Sequence, residues 1–243
     1  MELEMDILRR TGRIFRIVTL CLPWLALLLP AVVAADPVHV AVRSLDFSMF
    51  SRVMESQQDL TATDSTGMTA LHHACALGAV EMVEALLEKG ALASQTCNGG
   101  NNAMHYAVSM GAICLDPEPP RSSVTICPLT VPAMLASAGV DVNLQNNKGE
   151  TPLHIAARNG LVGVIANLLQ AGADPGIRNH AGETPLHLVG GPLPHITAQV
   201  LLLHGARLEV AANDGTSALD RAKAQGNLLL INMLIQYNAK SPK

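Results

Sequence analysis

Large aromatic side chains are almost missing: one Trp, two Tyr and three Phe in 243 residues, 2% of the chain. A core without big rings rests on aliphatic and small side chains, which suits helices that approach one another closely. The chain has no Cys-X-X-Cys or His-Glu-X-X-His spacing, so the patterns that make a zinc site credible are absent. It also has no Gly-rich phosphate loop and no Gly-X-Ser-X-Gly elbow. Charged residues make up 15% of the chain and the formal net charge is −4, which leaves no basic stripe for nucleic acid. The expectation is a protein that is not an enzyme and takes no cofactor, no metal and no nucleic acid.

What the chain has is repetition. Thr-Pro-Leu-His at 151–154 returns intact at 184–187. Counted from the Thr position, copies of the phrase begin at Asp36, Thr69, Asn102, Thr151, Thr184 and Ser217, with spacings of 33, 33, 49, 33 and 33 residues. One unit predicts its own structure. Gly149 permits a tight turn, Thr151 caps a helix, and Pro152 fits the first turn because its missing N–H costs nothing there. Leu153, Ala156 and Ala157 form an apolar stripe at helical spacing and Gly160 ends the helix. Val164, Ile165, Leu168 and Leu169 form a second stripe before Gly172. Two such helices bury little alone, and stacking on neighbours makes one continuous core. The end copies deviate, with Asp36 in place of Thr and Asp220 in place of His.

A 33-residue period carrying this phrase resembles the ankyrin repeat. The resemblance runs from Asp36 to about Asn238. It implies an all-α fold: an ankyrin-repeat solenoid of about six helix-turn-helix units with short hairpin loops, occupying 36–243. It implies that His39, His72, His105, His154 and His187, which recur at one place in each unit, bridge adjacent turns by hydrogen bonds. It also implies that the ligand is another protein, held by hairpin tips and by the outward positions of each first helix. Mapped by period, the tips offer Met68, Gln95, Asn98, Asn101, Lys148, Arg178 and His180. The first helices offer His73, Tyr106, Met110, Arg158 and Arg221. Tyr106 and Arg158 lead this set, because Tyr and Arg dominate interface hot spots.

Residues 1–35 read as a signal peptide. Arg9, Arg10, Arg13 and Arg16 precede an apolar run from Ile17, and Val33 and Ala35 occupy the small-residue positions of a cleavage site. Cleavage after Ala35 leaves Asp36 at the start of the first repeat. The alternative is an uncleaved anchor, interrupted by Pro23 and Pro30. Both readings place the repeats outside the cytoplasm. The 49-residue spacing carries an insertion at about 112–130, bracketed by Cys114 and Cys127. An oxidising compartment would let these two form a disulfide at the base of the loop, although four cysteines allow three pairings. Cys75 takes a core Ala position and is expected to be a buried free thiol. Cys97 takes the Asp position of a turn and is expected to be more exposed. Residues 116–125 and 190–195 fall at equivalent turns two units apart and form a second candidate edge.

The resulting expectation is a periplasmic or secreted, monomeric protein-interaction module with no membrane contact once the signal is cleaved. Resemblance to bacterial periplasmic ankyrin proteins implies a role in binding or protecting a periplasmic partner, in stress or antioxidant support. The alternatives are an immunity-type inhibitor of a periplasmic toxin and a secreted effector acting on host proteins.

Overall fold

The structure, a computed structural model, describes residues 36–56, 59–109 and 129–240. The signal peptide, Met110, the Cys114–Cys127 pair and residues 116–125 lie outside the described residues.

Among the described residues, six helix pairs follow the six copies of the phrase. The first members are α1 (Pro37–Arg43), α3 (Ala70–Leu77), α5 (Ala103–Ser109), α7 (Pro152–Asn159), a 3-10 turn (Pro185–Leu188) and α10 (Ala218–Ala224). The second members are α2 (Phe47–Glu55), α4 (Val80–Glu88), α6 (Thr130–Ser137), α8 (Val162–Gln170), α9 (Pro194–Leu203) and α11 (Leu228–Lys240). First members pack on first members from unit to unit, and second members likewise from α4 onward. Among the described residues there is no strand, only an isolated bridge between Ala211 and Ser217. No described helix is long and apolar enough to cross a membrane.

The fourth unit folds as its residues predict. Thr151 is extended, Pro152 occupies the first turn of α7, and Gly160 leaves it in the left-handed region at φ 70°. Leu153, Ala156 and Ala157 are fully buried, and Val164, Ile165 and Leu168 of α8 meet them across the core. A fully buried Leu or Ile stabilises the fold by about 2 kcal/mol. Because each unit shares its aliphatic layer with the next, one core runs from Val38 to Leu234.

The fifth unit departs from the pattern although it starts with the same four residues. Its first helix is a single 3-10 turn, after which Val189 turns extended at φ −53°, ψ 123°. Gly190-Gly191-Pro192 then replaces the last helical turn and lies against the end of α7. The Gly190 N–H donates to the Ala157 carbonyl at 3.1 Å. A Cβ on Gly191 would stand 2.6 Å from the Asn159 carbonyl oxygen, so backbone meets backbone here and no side chain fits. The second cysteine expectation is also corrected. Cys97 is buried at 8% exposure, because its small thiol is covered by Tyr106, to whose hydroxyl it is bonded. Cys75 is a buried free thiol as expected, and burial pushes its pKa up.

Candidate protein-binding face

From the second unit on, each unit enters its first helix through a hairpin closed on itself. Asp64 N–H donates to the Met68 carbonyl, Cys97 to Asn101, Asn146 to Glu150, Asn179 to Glu183 and Ala212 to Thr216, all at 2.8–3.0 Å. Five residues before the Thr position in the second, fourth and fifth units, a side-chain acceptor holds the turn. Asp64 Oδ1 takes the N–H of Thr66 and Met68, Asn146 Oδ1 that of Lys148 and Glu150, and Asn179 Oδ1 that of Ala181 and Glu183. In the third unit the Cys97 thiol does this work less fully, accepting from the Gly99 N–H at 3.3 Å.

The tips are then tied to one another. Asn98, Asn147, His180 and Asn213 each donate a backbone N–H to the preceding tip at 2.9–3.1 Å. Asn98, Asn147 and Asn213 add a side-chain amide bond to the Ser65, Asn98 and His180 carbonyls. His180 cannot repeat that amide contact and stays exposed. A second ladder runs beside it. Gln145 Nε2 reaches the Arg178 carbonyl at 3.0 Å, and Arg178 Nη2 reaches the Ala211 carbonyl at 2.9 Å. The close approach requires glycine: Gly149 sits at φ 73°, and a Cβ there would lie 2.7 Å from the His180 backbone nitrogen.

The recurring histidines anchor hairpin to helix. Thr69, Thr151 and Thr184 donate their N–H to Nδ1 of His72, His154 and His187 at 3.0–3.1 Å, as Asn102 does to His105 at 3.3 Å. Nδ1 is therefore the bare nitrogen and Nε2 carries the proton. Nε2 of His39, His105 and His154 donates to the Met68, Glu150 and Glu183 carbonyls of the following unit at 3.0–3.1 Å. His72 Nε2 and His187 Nε2 are buried without such a bond. Burial holds all four of His72, His105, His154 and His187 below the usual imidazole pKa.

Four residues after the Thr position, the row Val40, His73, Tyr106, Ile155, Leu188 and Arg221 faces outward over these hairpins, all half-buried except the exposed Val40. In the second and third units this row meets the turn acceptor directly. His73 Nε2 lies 2.8 Å from Asp64 Oδ2, and Tyr106 Oη lies 3.2 Å from Cys97 Sγ. Burial opposes ionisation of Asp64, but hydrogen bonds from Thr66, His73 and Met68 outweigh it and hold the carboxyl well below its usual range. Burial, then the Cys97 thiol, pushes the Tyr106 phenol up to about 12. The rings of His39 and His73 meet edge-on at 5.6 Å, and those of His72 and Tyr106 at 5.5 Å. Further along, arginines make the ties, Arg221 from the row itself and Arg158 from three residues beyond its member Ile155. Arg158 pairs with Glu150, whose side chain is 9% exposed, and Arg221 bridges Glu183 at 2.8 Å and Asp214 at 3.2 Å.

The structure brings most of the sequence-derived candidates onto this face but gives them unequal freedom. Lys148 and His180 stand exposed at the tips, and Arg158 is half open. Arg178, Asn98, Gln95 and Asn101 are engaged in ties between units, with Gln95 Nε2 on the Thr61 carbonyl and Asn101 Oδ1 accepting from Asn146. Met68 lends its carbonyl to His39. Sequence reasoning missed the buried partners Glu150 and Glu183, although both stand immediately before the Thr position, where a column read down the repeats exposes them.

Comparison with known proteins agrees with this architecture. Family models described as ankyrin repeats match residues 38–115 (three copies) and 135–189 (many copies), together more than half of the chain. The B-cell lymphoma 3 protein homolog of Mus musculus is 28% identical over 219 residues, covering 84% of this chain and 44% of its own length. L-asparaginase of Dirofilaria immitis is 32% identical over 133 residues, covering 47% of this chain and 22% of that enzyme. The chain thus spans less than half the length of these curated relatives, and the segment shared with the second is too small a part of it to carry an activity over. The crystal structure of EF0377, an ankyrin repeat protein, superposes with a TM-score of 0.70 at 22% identity, covering 83% of this chain and 98% of that one. With six Thr-position copies, their hairpin ties and both family matches in agreement, the chain belongs to the ankyrin-repeat family.

Proposed function

We propose that the chain is an exported module that grips a segment of another protein on the face made by its hairpin tips and first helices. The observation that carries the reading is the outward row over the hairpins. The row supplies a half-buried phenol at Tyr106, and beside it stand the half-exposed, Glu150-paired guanidinium of Arg158 and the exposed tips Lys148 and His180, on a backbone already fixed by inter-unit hydrogen bonds. A surface fixed before binding loses little entropy on association. Export rests on the sequence, namely the arginine-led apolar segment before Asp36. The partner is then a periplasmic or secreted protein that this module binds or protects.

The test is capture of the tagged chain from an envelope fraction, with the intact mass of the captured protein recorded. The expected result is a chain beginning at Asp36 with one protein bound in stoichiometric amount. A folded Tyr106→Ala/Arg158→Ala variant should lose that protein. A chain that keeps residues 1–35 and stays in the cytosol overturns export. Undiminished capture by the variant overturns the assigned face.

A further inference from the structure

The second helices carry a different chemistry, and it is concentrated in one place. Helices α6, α8 and α9 contain no Asp, Glu, Lys or Arg, whereas α4 places Glu81, Glu84 and Glu88 at a spacing that shares one helical face. That face is the one left over when Met82, Val83 and Leu86 are buried in the core. Between α4 and α6 the surface opens into a cleft of about 420 Å³. Leu87, Ala133 and Met134 form its floor. Glu84 and Glu88 line the α4 side, and Thr130 and Ser137 the α6 side. A second cleft of about 290 Å³ continues from the same Leu87 toward Leu92, which is 54% exposed. Both glutamates are exposed, and neither has an ion pair or hydrogen bond among the described residues.

We infer that this groove binds a basic amphipathic helix of a partner protein, at a surface separate from the hairpin face. The apolar floor between two parallel helices accepts one line of Leu-type side chains, the usual way a helix lies in a groove. The unpaired carboxylates along one wall select Lys or Arg on the flank of that helix and repel an acidic one. The opposite wall offers only hydroxyls, so the charge preference comes from Glu84 and Glu88.

The test uses the full chain with carbon-13-labelled methionine methyl groups and two designed peptides of roughly 14 residues, about four helical turns. One peptide presents Leu and Lys, the other Leu and Glu. The Lys peptide is expected to shift the Met134 methyl resonance saturably while the fully buried Met104 stays in place, and the Glu peptide to shift neither. The Glu84→Gln/Glu88→Gln variant, altered only at exposed positions, is expected to weaken the Lys peptide by about tenfold. An unmoved Met134, an equal response to both peptides, or undiminished affinity in the variant would overturn the assignment. So would a Met134 shift that follows protein concentration alone, which would assign the groove to a second copy of the chain. Tyr106→Ala/Arg158→Ala should bind the peptide normally, which separates this site from the hairpin face.

Discussion

The front and back of the hairpin face are tied by side chains from different positions of the repeat and with different chemistry. In the second and third units, the outward row closes on the turn acceptor through Asp64–His73 and Cys97–Tyr106. In the fourth to sixth units, arginines close on glutamates that stand before the Thr position. Both arrangements tether helix to hairpin. The front one joins rings to a carboxylate and a thiol, the back one joins arginines to carboxylates that are almost fully buried. The lesson is that the repeat fixes where a side chain stands and leaves free what it is, so surface character changes along the array while the fold does not.

What the two halves share should show the largest response. Each half buries two histidines whose folded pKa is lowered, so the unfolded chain binds more protons below its own imidazole pKa of about 6.5. Their stabilisation is complete above that pH and declines as pH falls through it, by up to about 1.4 kcal/mol per histidine per pH unit. Urea midpoints measured from pH 7.5 to 5 should fall steeply, and a flat profile would remove the neutral-histidine assignment from both halves at once. Next in size is the tip spacing. Gly149→Ala combines a positive φ with contact against His180, whereas Gly215→Ala meets nothing within 4 Å at φ 79°. Losses of about 3 and about 1 kcal/mol are expected in denaturant unfolding. Equal losses would mean that the tips do not constrain one another.

Removing one partner from each half should separate the two chemistries. Arg158→Met strands a mostly buried carboxylate and should cost about 2 kcal/mol, with recovery when Glu150→Gln is added. Tyr106→Phe loses one hydrogen bond to a thiol and should cost about 1 kcal/mol or less. The reverse ranking would break the distinction between a charged back and a ring-based front. The smallest expected effect is that of salt. Raising NaCl to about 0.5 M should lower hydrogen-exchange protection around Arg158 and Arg221 by under 1 kcal/mol and leave Tyr106 unchanged.

Much of the fold was legible in the sequence because its determinants are local. Thr151, Pro152 and Gly160 mark the ends of α7, and the apolar stripe between them names the buried side. The recurring histidines were equally readable, since a residue repeated at one position of every unit answers to the scaffold. The shortened helix of the fifth unit was not, because Thr-Pro-Leu-His opens it as it opens α7 and the difference lies in Gly190-Gly191 fitting against a neighbour's backbone. The state of Cys97 was hidden for a related reason. It stands in the column of Asp64, and only a second column, holding His73 and Tyr106, shows what the thiol would meet. Arg178 and Asn98 looked available on sequence grounds. Their commitment to neighbouring tips depends on inter-unit register, which a single unit does not contain.

The tie from Asn147 Nδ2 to the Asn98 carbonyl spans 49 residues of chain and measures 2.9 Å, while its counterpart from Asn213 to His180 spans 33 and measures 3.0 Å. Distance along the chain has therefore been uncoupled from distance in space between the third and fourth hairpin tips. The entropy of closing a loop grows only with the logarithm of its length, so further lengthening there costs little. The connection from α5 to α6 is a docking port in the engineering sense. A foreign domain or reporter spliced into it should leave the remaining units in register, and evolution has the same freedom to add cargo to this protein without redesigning it.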